Sequence, residues 1–91
     1  MKMRTVLTKK WGDTEIVTSP FEGKVIDINV QENDKIYDHQ LISIIKRNNG
    51  KSEKIFTRTN GIVKSVNINL KQGIVRGEVL ITIQEVDSEF M

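Results

Sequence analysis

The sequence predicts a single all-β domain with internal pseudo-twofold symmetry. Three observations carry this. Apolar and polar residues alternate with a period of two, as in Ile26, Ile28 and Val30 against Asp27, Asn29 and Gln31, which is the pattern of a half-buried strand. The alternating runs are rich in β-branched residues, which suit a pleated surface. The chain also repeats itself: GKVIDINVQENDKIYDHQ from Gly23 aligns with GIVKSVNINLKQGIVRGE from Gly61 at an offset of 61 − 23 = 38. Two repeats are too few for a solenoid, so each half is expected to supply half of one core. Ninety-one residues suffice for one small domain.

The elements follow in order. Thr5–Lys10 against Thr14–Thr18, joined through Gly12-Asp13, reads as an extra N-terminal hairpin, with the Trp11 ring expected to cover one end of the core. Pro20 marks a strand-to-turn boundary. The first half then runs from Gly23 through Val30 into the turn signal Glu32-Asn33-Asp34, and a short strand follows at Leu41–Ile45. The second half repeats this with Val66, Ile68 and Leu70 facing inward, a turn at Lys71-Gln72-Gly73 and a strand at Val79–Ile83. The repeat pairs Gly23 with Gly61, Val25 with Val63, Ile28 with Val66 and Ile36 with Ile74. A gap of one residue aligns Leu41-Ile42-Ser43-Ile44 with Leu80-Ile81-Thr82-Ile83. Turn spacing predicts about seven to nine short strands. The expected organisation is an extension at 1–13, the domain at 14–86 and a frayed acidic tail at 87–91.

The halves meet at IIKRNNGKSEKIF, Ile44 to Phe56. Asn-Gly is the strongest short hairpin signal, because a type I′ turn needs positive φ at both central residues. Centring the turn on Asn49-Gly50 pairs Asn48 with Lys51, Arg47 with Ser52, Lys46 with Glu53 and Ile44 with Ile55.

Four stretches together resemble the biotinyl/lipoyl attachment domains. Ser19-Pro20-Phe21-Glu22-Gly23-Lys24-Val25 is similar to their opening, and Glu32-Asn33-Asp34-Lys35-Ile36 to their Glu-Gly-Asp-x-Val turn. Asn60-Gly61-Ile62-Val63 resembles the start of their second half, and Gly77 to Ile83 their closing strand. The resemblance covers Thr14 to Glu85 and implies a flattened β-barrel, or barrel-sandwich hybrid. Carrier members present a lysine at the tip of the joining hairpin, within Met-Lys-Met for biotin or after an acidic residue for lipoate. This hairpin has neither pattern. Asn48, Asn49 and Gly50 take the tip and Lys51 lies one step beyond. Met1-Lys2-Met3 starts the chain, far from any hairpin.

Lys51 therefore has two readings: a biotin or lipoyl attachment site displaced by one residue, or a solvated lysine beside a turn. Lys46 and Lys54 lie further down the strands and are poorer attachment candidates. The basic residues Lys46, Arg47, Lys51 and Lys54, against Glu53, read either as an anionic partner surface or as a tip kept soluble by charge. His39 stands where the repeat has Gly77 and is expected to replace a turn glycine. A lone histidine without cysteines is a poor metal site. No nucleophile triad or phosphate loop is legible, so catalysis is not expected.

Fourteen Lys+Arg against twelve Asp+Glu leave a net charge of +2. A dedicated nucleic-acid binder clusters its positive charge, so nucleic acid is not an expected partner. No run approaches the roughly 20 apolar residues of a membrane helix, and a cytoplasmic location is expected. The expected function is a non-catalytic binding or scaffold module with a protein partner and no cofactor. The alternatives are a biotin or lipoyl carrier modified at Lys51, and an adaptor domain of a transport or efflux system.

Overall fold

The computed structural model describes residues 7–11 and 13–86, with side chains from residue 13 onward. The described residues form nine strands: β1 Leu7–Trp11, β2 Thr14–Thr18, β3 Gly23–Ile28, β4 Lys35–Ile36, β5 Leu41–Lys46, β6 Ser52–Phe56, β7 Gly61–Val66, β8 Gly73–Ile74 and β9 Val79–Glu85. There is no helix among the described residues, and so none long and apolar enough to cross a membrane. The strands form two antiparallel sheets, ordered β1-β2-β9-β7-β4 and β6-β5-β3-β8. The all-β expectation and the N-terminal hairpin hold, with β1 ending at Trp11 opposite Thr14. The burial expected for the Trp11 ring and the frayed tail at 87–91 lie outside the described side chains and residues.

The twofold repeat is visible in the backbone. Val25/Asp27 in β3 and Val63/Ser65 in β7 carry matching irregularities against β5 and β9. Asn33 and Lys71, 38 residues apart, both adopt left-handed backbone (φ 76° and 69°), as do His39 and Gly77 (69° and 87°). His39 thus occupies a glycine-type turn position, as the repeat implied. Ser19 and Thr57 are likewise mates, each fully buried. The Ser19 hydroxyl donates to the Phe21 carbonyl oxygen at 2.5 Å, and the Thr57 hydroxyl to that of Thr59 at 3.2 Å. These side-chain turns satisfy buried polar groups at the entries to β3 and β7.

Three expectations are corrected. The repeat needs no gap. A Cβ on Gly23 would meet Lys46 and Ile45, and a Cβ on Gly61 would meet Gln84 and Ile83, so the offset of 38 persists through the last strands. Leu41 to Ile45 matches Val79 to Ile83, and the burial sequence along β5 repeats along β9. Ile26 also faces outward, 42 % exposed, while Val25 is fully buried. A β-bulge places an extra residue between paired positions and re-aims the side chains that follow, so Val25, not Ile26, enters the core. Leu70 is exposed too, beyond the end of β7, whereas Ile68 is buried and Val66 half-buried.

The core lies between the sheets. Val17, Val25, Ile36, Ile42, Ile45, Ile55, Val63, Leu80, Ile81 and Ile83 are essentially inaccessible. Fully burying an aliphatic side chain of this size contributes about 1.5–3 kcal/mol. Both halves contribute to it, so neither could bury its apolar face alone.

Candidate functional site

The β5–β6 hairpin is anchored at its base by Ile45 and Ile55, both fully buried. Its register differs from the one expected. Lys46 faces Ser52, Ile45 faces Glu53 and Ser43 faces Ile55. The Gly50 N–H donates to the Arg47 carbonyl oxygen at 2.9 Å and the Arg47 N–H to that of Lys51 at 2.8 Å. The connection therefore has three residues, Asn48-Asn49-Gly50, and only Gly50 has positive φ, 85°. A turn followed by one left-handed residue is the usual three-residue hairpin; a two-residue type I′ turn would have needed positive φ at Asn49 as well.

The shift of one residue changes the charge pairing. Glu53 meets Arg47, Nη1 to Oε2 at 3.3 Å, and Lys46 is not opposite it. The Arg47 guanidinium also lies over the Phe21 ring, 5.1 Å from its centroid. A cation–π contact at a partly exposed site is worth about 0.5–1 kcal/mol. Arg47 thus ties the hairpin to the segment entering β3. Sequence reasoning missed this contact, because Phe21 and Arg47 are 26 positions apart and no local pattern links them.

Lys51 is exposed just past the tip. Its backbone N–H donates to the Asn49 side-chain oxygen at 2.9 Å, which holds the chain where it leaves the turn. Lys54 is exposed on β6. His39 is exposed, its Nδ1 3.1 Å from an Asp38 carboxylate oxygen. Among the described residues no three His, Cys, Asp or Glu side chains gather in a way that could hold a metal ion.

Lys46, Arg47 and Asn48 line an open groove of about 620 Å³ together with Lys24, Ile26 and Lys71. Lys24 on β3 lies directly across from Lys46 on β5. Lys71 is brought in by the loop before β8, where its N–H donates to the Val25 carbonyl oxygen at 2.7 Å. Of the basic surface read from the hairpin, the structure joins Lys46 and Arg47 to two distant lysines. Lys51 and Lys54 are outside this lining.

Comparison with known proteins identifies a fold and no family. No family model matches the sequence, and no curated protein matches it. Among solved structures, the chain is similar to one described as a single-chain, multi-domain long-chain acyl-CoA carboxylase, with a TM-score of 0.75 and 10 % sequence identity. The match covers 99 % of this chain and 9 % of that one, so this chain spans under a tenth of the carboxylase chain's length. At this identity the likeness concerns the fold.

Proposed function

We propose that this chain is a non-catalytic binding module on a biotinyl/lipoyl-like scaffold, presenting the Lys46–Lys54 hairpin and its flank to a protein partner. The observation that carries this reading is the tip itself. Asn48-Asn49-Gly50 form the whole three-residue connection, so the apex carries no lysine, and the neighbours that resembling carriers place around theirs are absent. A swinging arm needs its amine on the exposed apex, where a ligase can reach it and where the tether gives the cargo a high local concentration. The side chains at this apex are instead amides.

The second reading, a biotin or lipoyl carrier modified at Lys51, is favoured by one observation: Lys51 is exposed one step past the apex of a fold shared with an acyl-CoA carboxylase chain. The intact mass of the protein purified from its own host, beside Lys51→Arg, separates the two. An unmodified mass that stays unmodified after incubation with biotin and lipoate ligases is expected of a binding module. A biotin- or lipoyl-sized increment that disappears in Lys51→Arg would replace that reading with the carrier.

A further inference from the structure

The groove beside the hairpin is costly to the fold. Lys24 and Lys46 are directly opposite in an antiparallel pair, an arrangement in which like charges repel. Lys71, the third lysine, sits at φ 69°, where a Cβ-bearing residue crowds its own backbone. At the equivalent turn of the other half the residue is Asn33, and asparagine tolerates that conformation far better. Ile26, 42 % exposed, puts an apolar side chain among these cations.

The pseudo-twofold axis supplies an internal control. Adding or subtracting 38 carries Lys24 to Ile62, Ile26 to Lys64, Lys46 to Gln84, Arg47 to Glu85 and Lys71 to Asn33. The same backbone is therefore built in the second half with one lysine balanced by one glutamate. Concentrated positive charge is not a requirement of the fold at this place; it belongs to the first-half groove. Strain and repulsion kept at a concave site point to recognition rather than stability.

We propose that this groove binds an acidic, partly apolar segment of a protein partner, a stretch of glutamate or aspartate carrying at least one aliphatic side chain. Its three ammonium groups are point charges on flexible stems, and its one rigid guanidinium fork, that of Arg47, is already engaged by Glu53 and the Phe21 ring, whereas a phosphate site reads its ligand through such a fork. The ammonium groups recognise charge density, and Ile26 supplies an apolar contact that a bare phosphate chain would not use. No carboxylate lines the groove among the described residues. Elsewhere acidic and basic residues are interleaved and the net charge is only +2, which does not extend the site into the long basic track that nucleic acid requires. The proposal rests on the binding-module reading and gives its partner a chemical class.

The test is a titration of the full ¹⁵N-labelled chain with a short peptide of glutamates and leucines, followed by amide shifts. Shifts are expected to concentrate at Lys24, Ile26, Lys46, Asn48 and Lys71, and to vanish when glutamine replaces glutamate in the peptide. A variant with Lys24→Gln, Lys46→Gln and Lys71→Gln together should bind about tenfold more weakly or worse, from three partly exposed charge pairs. Arg58→Gln with Lys64→Gln, both exposed and outside the groove and the hairpin, should bind as the parent does. All the substituted side chains are exposed, and each variant's own amide spectrum reports that it is folded. The proposal is overturned if the triple variant binds equally, if the glutamine peptide binds equally, if the shifts centre on Arg58 and Lys64, or if a single-stranded oligonucleotide of the same charge binds the groove more tightly. The first three outcomes with an unmodified Lys51 mass would leave the binding-module reading standing with a different partner chemistry or surface, and the fourth would replace its protein partner with nucleic acid. A modified Lys51 would remove that reading whatever the titration shows.

Discussion

Gly23→Ala tests whether the packing of β3 against β5 is what holds the hairpin in place. A Cβ built on Gly23 falls well inside 3.0 Å of the Lys46 carbonyl oxygen and 2.9 Å from Ile45 Cγ2. Neither neighbour can yield by rotating a flexible tip. The carbonyl is backbone in a paired strand, and Ile45 is fully buried. The strands must move apart at the point where Lys24 faces Lys46. Forcing a methyl into packed structure costs about 1–3 kcal/mol. Against this, alanine in a strand interior gains about 0.5–1 kcal/mol over glycine. A net loss of about 1–2 kcal/mol is expected, and for a domain of this size that lowers Tm by about 4–16 °C. The assay is a thermal melt followed by far-UV circular dichroism, backed by urea unfolding to check two-state behaviour. Gly73→Ala serves as the control, because nothing lies within 4 Å of its Cβ. Gly61→Ala should repeat the loss, since its Cβ would meet the Gln84 carbonyl oxygen and lie 2.6 Å from Ile83 Cγ2. If Gly23→Ala melts with Gly73→Ala, at or above the parent, the close approach of β3 to β5 is not a constraint and the reasoning fails.

Ile36→Ala removes a fully buried side chain of the two-residue β4, and a cost of about 2–5 kcal/mol is expected in urea unfolding. Gly50→Ala meets no neighbour but holds φ 85°; the left-handed conformation should cost about 1–2 kcal/mol in the same assay, with the β5–β6 amide shifts changed mainly at the tip. His39→Gly relieves the same conformation at φ 69° and loses only an exposed contact to Asp38, so its Tm should equal or exceed that of the parent. Glu53→Gln should cost no more than about 1 kcal/mol, because the pair with Arg47 is partly solvated, and it should alter the Arg47 side-chain resonances more than those of Lys46.

Much of the architecture was legible because it is written locally. The alternation marked the strands, Ser19-Pro20 and the polar turn clusters marked their ends, and the 38-residue repeat placed both halves in one core. His39 at a glycine position could be read from its mate Gly77. The misreadings share one cause, that letters do not report which neighbour a residue meets. Leu41-Ile42-Ser43-Ile44 and Leu80-Ile81-Thr82-Ile83 look alike, yet the contacts under Gly23 and Gly61 require the ungapped frame. Ile26 looked inward by alternation until the irregularity beside Val25 turned it out. Asn49-Gly50 suggested a two-residue turn, but the three-residue connection forms, with Arg47 placed over Phe21 and beside Glu53.

The sequence by itself therefore determined the class of fold, its twofold construction and the exposed hairpin, since these follow from periodicity, turn chemistry and repetition along the chain. Tertiary structure alone decided the frame of the last strands, the register of the hairpin and the gathering of Lys24, Lys46 and Lys71 around one groove. Such features depend on through-space contacts between residues tens of positions apart, where packing and charge act on distance and not on order along the chain.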